Sequence, residues 1–328
     1  MDFAARIVVT GAAGFIGQGL VRALRGRLAE QPQPSGELCL TDLGPALAQA
    51  APVQDGARLL ELPGDIGDQG LVESLFARPV QRLYHLAGIV SGRAEAEFEL
   101  GKRVNLDATL ALLERCRLQA ERGGPVVRFT YASSIAVFGT PLPERIDDST
   151  APAPTLSYGA HKRVIELLID DYSRRGFIDG RALRLSGVLL RPAIPNGALS
   201  AFNSDVIREP LAGRDYVCPV GPDANLWVTS YRRAVQQLLA LSELDASELG
   251  AQRAITAPAL AVRVRDIVAA LGRFDSQAPA RVSYRAQPDL EAQFGRWPLN
   301  CAFDRAHALG LSADVSIGAL LESCLEPE

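Results

Sequence analysis

Short apolar runs alternate with stretches of helical periodicity through the first 190 residues of the chain. The β-branched and aliphatic runs predict six strands, at 7–10, 38–41, 58–62, 82–86, 126–131 and 182–186. Helices are predicted to begin near Phe15, Gln69 and Ser157, and within residues 97–105. This alternation is typical of an α/β fold of Rossmann type, in which helices flank a doubly wound parallel sheet.

The periodicity is clearest over residues 157–175 and changes after Arg191. Four aliphatic residues recur at helical spacing in 157–175, and Gly176 follows as a C-terminal stop. Beyond Arg191, prolines interrupt short segments and the alternation is lost. We therefore predict a sheet domain and a smaller, C-terminal lobe. The sheet domain covers 1–190, with 225–250 returning to its flank, and the lobe covers 191–224 and 251–328.

Composition excludes several classes of protein. The 328 residues suit one large or two fused units, and a net charge of −4 without any Lys/Arg-rich run argues against a nucleic-acid partner. The five cysteines and three histidines are scattered, so neither a disulfide framework nor a metal site is expected. No apolar run reaches the length of a membrane span, and no leader pattern precedes the first strand. We therefore expect a cytoplasmic protein without a membrane partner.

A glycine-rich loop follows the first predicted strand and opens the first predicted helix. Its glycines are spaced three apart, as G-x-x-G-x-x-G. In this context the first glycine allows the tight turn, the second lets the backbone approach a pyrophosphate, and the third lets helix and strand pack closely. An ordinary turn is the alternative, but the strand before and the helix after favour a dinucleotide. The predicted contacts from this loop are Gly11, Ala13, Gly14, Phe15, Ile16 and Gly17.

Two carboxylates follow later strands. Asp42 ends the second strand, where a carboxylate can accept hydrogen bonds from ribose hydroxyls and repel a 2′-phosphate. No Lys or Arg follows until Arg58, so NAD is favoured over NADP; a solvated strand-end aspartate is the alternative. Asp65 and Ile66 follow the third strand. Asp65 would lie near the adenine amine or would serve as a helix N-cap.

A tyrosine and a lysine, Tyr158 and Lys162, stand four residues apart on the predicted helix 157–175, hence on one helix face. A neighbouring cation favours the phenolate form of a tyrosine, whose pKa is ordinarily about 10. This pair is suited to general-base chemistry. A hydroxyl from Ser133 or Ser134, at the end of the fifth strand, would hold a substrate oxygen in line.

These elements together resemble the extended short-chain dehydrogenase/reductase family, which includes nucleotide-sugar epimerases and dehydratases. The resemblance rests on the glycine loop, the tyrosine–lysine pair and the segment 133–139, whose V-F-G element places the active-site hydroxyl at Ser134. It implies that Asn105 supports the active site, that the sheet domain binds NAD and that the lobe binds the substrate. Further cofactor contacts are implied at Leu86, Ala87, Gly88 (a departure, since the family usually has Ala there), Tyr158, Lys162 and Gly187.

Six segments spread over the chain carry a more specific pattern, namely 85–92, 94–101, 171–185, 207–213, 218–220 and 226–230. With them the chain resembles, nearly end to end, the D-erythronate dehydrogenase group of that family. This resemblance implies NAD-dependent oxidation of the C2 hydroxyl of a four-carbon sugar acid to the 2-oxo acid, with Tyr158 as base. Departures from the group's pattern at 186–187 and 193–194 fall beside the nicotinamide and the substrate, so the resemblance implies a class of acid and not one particular acid. The implied substrate contacts are Ser91, Ser134, Asn196, Arg208 and Trp227, and for the last two an anchoring role in the lobe is at least as plausible.

Two other functions remain open. A nucleotide-sugar epimerase would keep its NAD and return the hydride. A dehydratase normally carries an acidic pair after the catalytic hydroxyl, where this chain has Ile135 and Ala136. A non-catalytic NAD-binding protein tends to lose the tyrosine–lysine pair, which is kept here.

The resemblance also implies a homodimer formed through the helices before Asn105 and after Tyr158.

Overall fold

The computed structural model describes residues 6–29, 36–44, 58–190 and 200–326. Its strands are β1 (Arg6–Thr10), β2 (Glu37–Thr41), β3 (Arg58–Glu61), β4 (Val80–His85), β5 (Val127–Ser134), β6 (Arg145–Ile146), β7 (Ile178–Leu185), β8 (Gly187–Leu189), β9 (Tyr216–Cys218), β10 (Asn225–Ser230), β11 (Ala254–Thr256), β12 (Leu260–Arg263), β13 (Val282–Tyr284) and β14 (Asn300–Cys301).

The helices are α1 (Phe15–Ala29), α2 (Gln69–Leu75), α3 (Ser91–Ala96), α4 (Phe98–Lys102), α5 (Ala108–Glu121), α6 (Ser157–Arg174), α7 (Phe202–Leu211), α8 (Tyr231–Glu243), α9 (Ala246–Leu249), α10 (Val264–Leu271), α11 (Pro288–Phe294), α12 (Asp304–Ala308) and α13 (Ile317–Leu325). A π-helical turn (Arg103–Asp107) joins α4 to α5. Among the described residues, every helix is too short or too polar to cross a membrane.

Seven parallel strands form the central sheet, in the order β11-β7-β5-β4-β1-β2-β3. The strand order reverses between β1 and β4, and at such a switch point the carboxyl ends of the strands open a crevice for a ligand. The predicted α/β fold of Rossmann type is therefore confirmed. All six strands predicted from the sequence lie in this sheet.

Two regions depart from the predicted elements. Strand β5 was expected to end at Tyr131 but runs three residues further, because Ala132 to Ser134 pair with Leu183 to Leu185 of β7. The single helix expected within residues 97–105 is a succession of short helices around a break at Glu97, whose backbone is not helical. Gly176 ends α6 at a φ of +73°, a conformation that favours glycine, as expected for a helix stop.

The C-terminal third of the chain contributes to both parts of the molecule. Strands β12, β10 and β8 form a separate three-stranded sheet. Helix α8 packs on the central sheet, where Tyr84 and Ser242 hydroxyls are 2.7 Å apart. Strand β11 completes the edge of the central sheet beside β7, although residues 251–328 were assigned to the smaller lobe. The division of the chain into lobes stays a prediction.

Candidate active site

The glycine loop between β1 and α1 packs closely against neighbouring backbone. Gly11 has a φ of +70°, and a Cβ added there would lie 2.6 Å from the backbone nitrogen of Ala87. A Cβ on Gly17 would collide with the carbonyl oxygen of Gly11. The Gly14 N–H donates to the Gly11 carbonyl at 3.1 Å. These positions require glycine because backbone fills the space that a side chain would take.

Asp42 lies beside this loop at the end of β2. Its carboxylate accepts hydrogen bonds from the backbone N–H of Ala13 at 3.0 Å and of Leu43 at 2.8 Å. Ala13 therefore uses its amide to hold Asp42, although it was predicted to contact the cofactor itself. Each carboxylate oxygen has a second lone pair. A diol such as that of a ribose could therefore still donate to Asp42.

Asp65 and Ile66 do not line the cleft. The Asp65 carboxylate accepts from the Gly67 N–H at 2.8 Å and pairs with Arg103 at 2.8 Å, and these contacts hold its pKa below the usual range. The alternative of an N-cap is wrong for Asp65, because the side chain that caps α2 is that of Asp68. Ile66 is buried in the core.

Two adjoining cavities open at the carboxyl edge of the central sheet. The larger has about 1530 Å³ of space, part of it open to solvent, and extends from the glycine loop to α6. The smaller, of about 850 Å³, lies between α6, α7 and β10. Five residues line both, namely Val90, Ser134, Tyr158, Leu185 and Ser186. The cavities therefore meet at the predicted catalytic residues.

Most of the predicted cofactor contacts line the larger cavity. These are Gly11, Gly14, Phe15, Ile16, Gly17, Leu86, Gly88, Tyr158 and Lys162. Ala87 instead contributes the backbone against which Gly11 packs. Gly187, predicted to contact the cofactor, lines the smaller cavity, whereas its neighbour Ser186 lines both.

Lys162 projects from α6 into a buried position beside Tyr158. Its ammonium donates to the Ala132 carbonyl at 2.7 Å and lies 4.4 Å from the ring centre of Tyr131 and 5.5 Å from that of Tyr158. The side chain is almost fully buried, and burial lowers the pKa of Lys162 to about 7. Near neutral pH this lysine can hold a proton or give it up.

The structure separates the two serines at the end of β5. Ser133 lines the larger cavity, but its hydroxyl hydrogen is already donated to the buried carboxylate of Glu166 at 2.7 Å. Ser134 lines both cavities and accepts a hydrogen bond from the Ala136 N–H at 3.1 Å. Alternation along a strand sends neighbouring side chains to opposite faces. Of the two, only Ser134 is placed to meet a ligand next to Tyr158.

Asn105 fixes the loop after β4. Its carboxamide accepts from the Ile89 N–H at 2.7 Å and donates to the Ile89 carbonyl at 2.9 Å, so it supports the wall of the larger cavity. A Cβ on Gly88 would lie only 3.1 Å from the Asn105 oxygen. This closeness gives a physical reason for glycine, where the family pattern has alanine.

His85 lies beneath the site in a chain of hydrogen bonds. Its ring nitrogens lie 2.6 Å from the Thr10 hydroxyl and 2.8 Å from the Thr109 hydroxyl. Burial, aided by the charge of Lys162, lowers the pKa of His85 to about 3. The ring is therefore neutral, and one nitrogen donates a hydrogen bond while the other accepts one. His85 thus links the hydroxyl groups of Thr10 and Thr109 beneath the site.

Some of the predicted substrate contacts line the smaller cavity and others do not. Ser91 and Trp227 line the smaller cavity, and Trp227 uses its ring N–H to donate to the Pro298 carbonyl at 2.7 Å, so it offers apolar surface. Arg208 lies outside the described lining of either cavity and pairs with Asp205 and Glu209 on its own helix. Asn196 falls outside the described residues.

Two buried polar residues of the smaller cavity were not among the predicted substrate contacts. Ser186 and Asn203 are both buried and both line it. The departure from the family pattern at 186–187 had indicated that Ser186 lies near the site. Asn203 lies on the first turn of α7 and carries no sequence signal, because only the packing of α7 against β8 brings it to the cavity.

The chain is similar to known proteins over almost its whole length. Residues 7–222 match the model of the NAD dependent epimerase/dehydratase family. The chain is 42% identical over 323 residues to a D-erythronate dehydrogenase of Cupriavidus necator, covering 98% of each chain. It is 34% identical to a D-erythronate dehydrogenase of Haemophilus influenzae, covering 98% of this chain and 99% of that one. A solved nucleoside-diphosphate-sugar epimerase of Agrobacterium tumefaciens superposes with a TM-score of 0.90 at 33% identity, covering 99% and 94% of the two chains.

Proposed function

Since the chain belongs to the NAD-dependent epimerase/dehydratase family, we propose that it is an NAD-dependent dehydrogenase that oxidises the C2 hydroxyl of a small sugar acid such as D-erythronate. The product is the 2-oxo acid. The observation that carries this proposal is the convergence of Tyr158, Lys162 and Ser134 where the two cavities meet.

The larger cavity fits a dinucleotide. The glycine loop leaves no room for a side chain at Gly11 or Gly17, and α1 begins directly after it, so backbone N–H groups and the helix dipole face a pyrophosphate. Asp42 would accept the ribose hydroxyls, and Lys162 with Tyr158 would hold the nicotinamide end. When bound, NAD⁺ supplies the hydride acceptor, which takes the C2 hydrogen with its electron pair.

The side chains of the protein accept the proton of the substrate hydroxyl. The Tyr158 phenolate takes the proton of the C2 hydroxyl as that carbon becomes a ketone. The neighbouring ammonium of Lys162 stabilises the phenolate, and Ser134 donates a hydrogen bond to the substrate oxygen and fixes its position. Asn105 acts indirectly by holding the loop at Ile89.

We also propose that the protein is a homodimer. Four large apolar side chains on the outer surface of α4, α5 and α6 are exposed: Phe98, Leu110, Val164 and Leu167. Exposed apolar side chains on neighbouring helices are typical of protein interfaces. These helices are those that commonly pair in this family.

An epimerase that acts on a nucleotide sugar is the second candidate, because the nucleoside-diphosphate-sugar epimerase of Agrobacterium tumefaciens superposes over nearly the whole chain. Ile135 and Ala136, which follow Ser134 in a short 3₁₀ turn, leave no acidic pair there and argue against a dehydratase.

A screen for NADH formation separates the two candidates. The purified protein is incubated with NAD⁺ and with aldonic acids of four to six carbons, uronic acids and free aldoses. We expect net NADH from D-erythronate or a close relative. Tightly retained cofactor, a co-purified nucleotide and no net NADH from any acid would favour the epimerase and overturn the dehydrogenase.

A further inference from the structure

Two buried polar side chains, those of Asn203 and Ser186, line the smaller cavity. Asn203 is 6% exposed and Ser186 is 7% exposed. Within the part of the chain that the structure describes, neither the Asn203 Oδ1 nor the Ser186 Oγ takes part in a hydrogen bond. Leaving such a group unsatisfied costs about 1–3 kcal/mol. Two such groups on one cavity wall therefore indicate that a ligand completes them.

The backbone is shaped to bring Asn203 to this wall. A Cβ on Gly187 would lie 2.8 Å from the Asn203 Nδ2 and 3.0 Å from the Trp227 carbonyl oxygen. Any larger residue at 187 would displace the carboxamide from its place at the first turn of α7. The absence of a side chain at Gly187 therefore leaves room for the Asn203 carboxamide and lets α7 pack on β8.

The remaining chemistry of the wall indicates what Asn203 binds. Trp227 donates its ring N–H to the Pro298 carbonyl, and the Trp297 ring centre lies 5.1 Å from that of Trp227, so these two rings add aromatic surface to the cavity wall. An amide oxygen requires a hydrogen-bond donor, which a carboxylate cannot supply and a hydroxyl can. Ser186 lines both cavities, but Asn203 lines only the smaller one, away from the cofactor cleft.

From this placement we propose that Asn203 determines specificity by binding a substrate hydroxyl other than the one that is oxidised. The proposal rests on the proposed dehydrogenase function and narrows its substrate to a polyhydroxy acid. A site that hydrogen-bonds a substrate hydroxyl rejects the analogue that lacks it by up to roughly 10⁴–10⁵-fold, because its own buried group is left unpaired.

The test compares D-erythronate with its 3-deoxy and 4-deoxy analogues. We expect the wild-type kcat/KM to fall at least about 100-fold for one analogue, within the range that such discrimination reaches. In Asn203→Leu, the same analogue should lose less than about 5-fold relative to D-erythronate, because no buried oxygen remains to be left unpaired. Asn203→Asp keeps an acceptor oxygen, so it should keep the discrimination although KM rises for both acids.

A matched control is Asn225→Leu. Asn225 also carries a buried Oδ1 without a partner among the described residues, but it lies outside the lining of the cavity. This variant should discriminate like the wild type. If Asn203→Leu does not fold by circular dichroism, Asn203→Ala takes its place.

The outcomes distinguish the two proposals. Wild-type turnover with the same deoxy penalty in wild type and in the Asn203→Leu variant overturns the role of Asn203 and leaves the dehydrogenase in place. Wild-type turnover without any deoxy penalty overturns it too. Absence of NADH from every sugar acid with the wild type overturns the proposed function and the inference together.

Discussion

Replacing Lys162 with methionine is expected to stabilise the folded chain at or below neutral pH while it removes activity. Burial lowers the pKa of Lys162 to about 7, whereas an exposed lysine titrates near about 10.4. Each pKa unit corresponds to about 1.4 kcal/mol, so the buried ammonium costs on the order of 4 kcal/mol of folding free energy. Methionine has a similar length and no charge. It leaves the Ala132 carbonyl without its donor, at a cost of about 1 kcal/mol that does not depend on pH.

The pH dependence follows from the sign of the shift. Below about pH 7 the lysine is protonated in both the folded and the unfolded chain, and the full cost of burial is present. Between about pH 7 and 10.4 the unfolded chain binds more protons, so wild-type stability rises by about 1.4 kcal/mol per pH unit relative to the variant. The advantage of Lys162→Met should therefore be greatest at pH 6 and shrink steadily towards pH 9.

Urea unfolding of both proteins without cofactor, at pH values from 6 to 9, measures this difference. Taking the difference between the two proteins cancels the titration of all other groups. Lys102→Met is the matched control, because Lys102 is the only other lysine of the chain and its side chain is half-exposed beside Asp107. Its difference from wild type should be flat between pH 7 and 9. A flat difference for Lys162→Met as well would refute the reasoning that a buried amine is held at this site.

Four further substitutions test other parts of the account. Tyr158→Phe should lower kcat by roughly 10²–10⁴-fold, the usual contribution of a general base, with little change in NAD⁺ affinity by calorimetry; full turnover would exclude the proposed base. Gly11→Ala should lower the free energy of unfolding in urea by at least about 1–2 kcal/mol and weaken NAD⁺ binding, because Gly11 has a positive φ and backbone atoms lie close to it. The control Gly26→Ala, in open space on α1, should leave stability unchanged or raise it slightly. Asp42→Ala should reduce the preference for NAD⁺ over NADP⁺ in kcat/KM by at least about tenfold, through loss of its charge, and an unchanged preference would rule out that role. Leu167→Glu should convert the dimer to a monomer by light scattering, because it places a charge in the proposed interface, and an unchanged mass would place the interface elsewhere.

The sequence predicted the residues whose roles are set by local spacing. The glycine loop, Tyr158 with Lys162, and the strand that carries Ser134 are each a short stretch whose chemistry follows from neighbours three or four residues apart. The structure brings them together because parallel strands end at one edge of the sheet. The resemblance to the family made the choice of Ser134 over Ser133, and the contact of Ser133 with Glu166 supplies the physical reason.

The remaining features arise from tertiary contacts. Strand β11 pairs with β7 although its three residues, Ala254 to Thr256, carry little pattern of their own, so pairing with a buried neighbour determines it. Asn203 owes its place to the absence of a side chain at Gly187. Arg208 looked available as a substrate contact, but the acidic residues beside it on α7 pair with its guanidinium. The first two contacts join residues far apart in sequence, whereas Arg208 and Asp205 form an i, i+3 pair that helical spacing could have indicated.

Transfer of deuterium from C2 of the substrate is the measurement that tests the central claim most directly. D-Erythronate labelled with deuterium at C2 is incubated with NAD⁺ and the protein, and the reduced cofactor is isolated and analysed by mass spectrometry. The account predicts reduced cofactor that carries one deuterium, together with the 2-oxo acid and a slower rate than with unlabelled acid. Reduced cofactor without deuterium would show that another carbon is oxidised and would contradict the account.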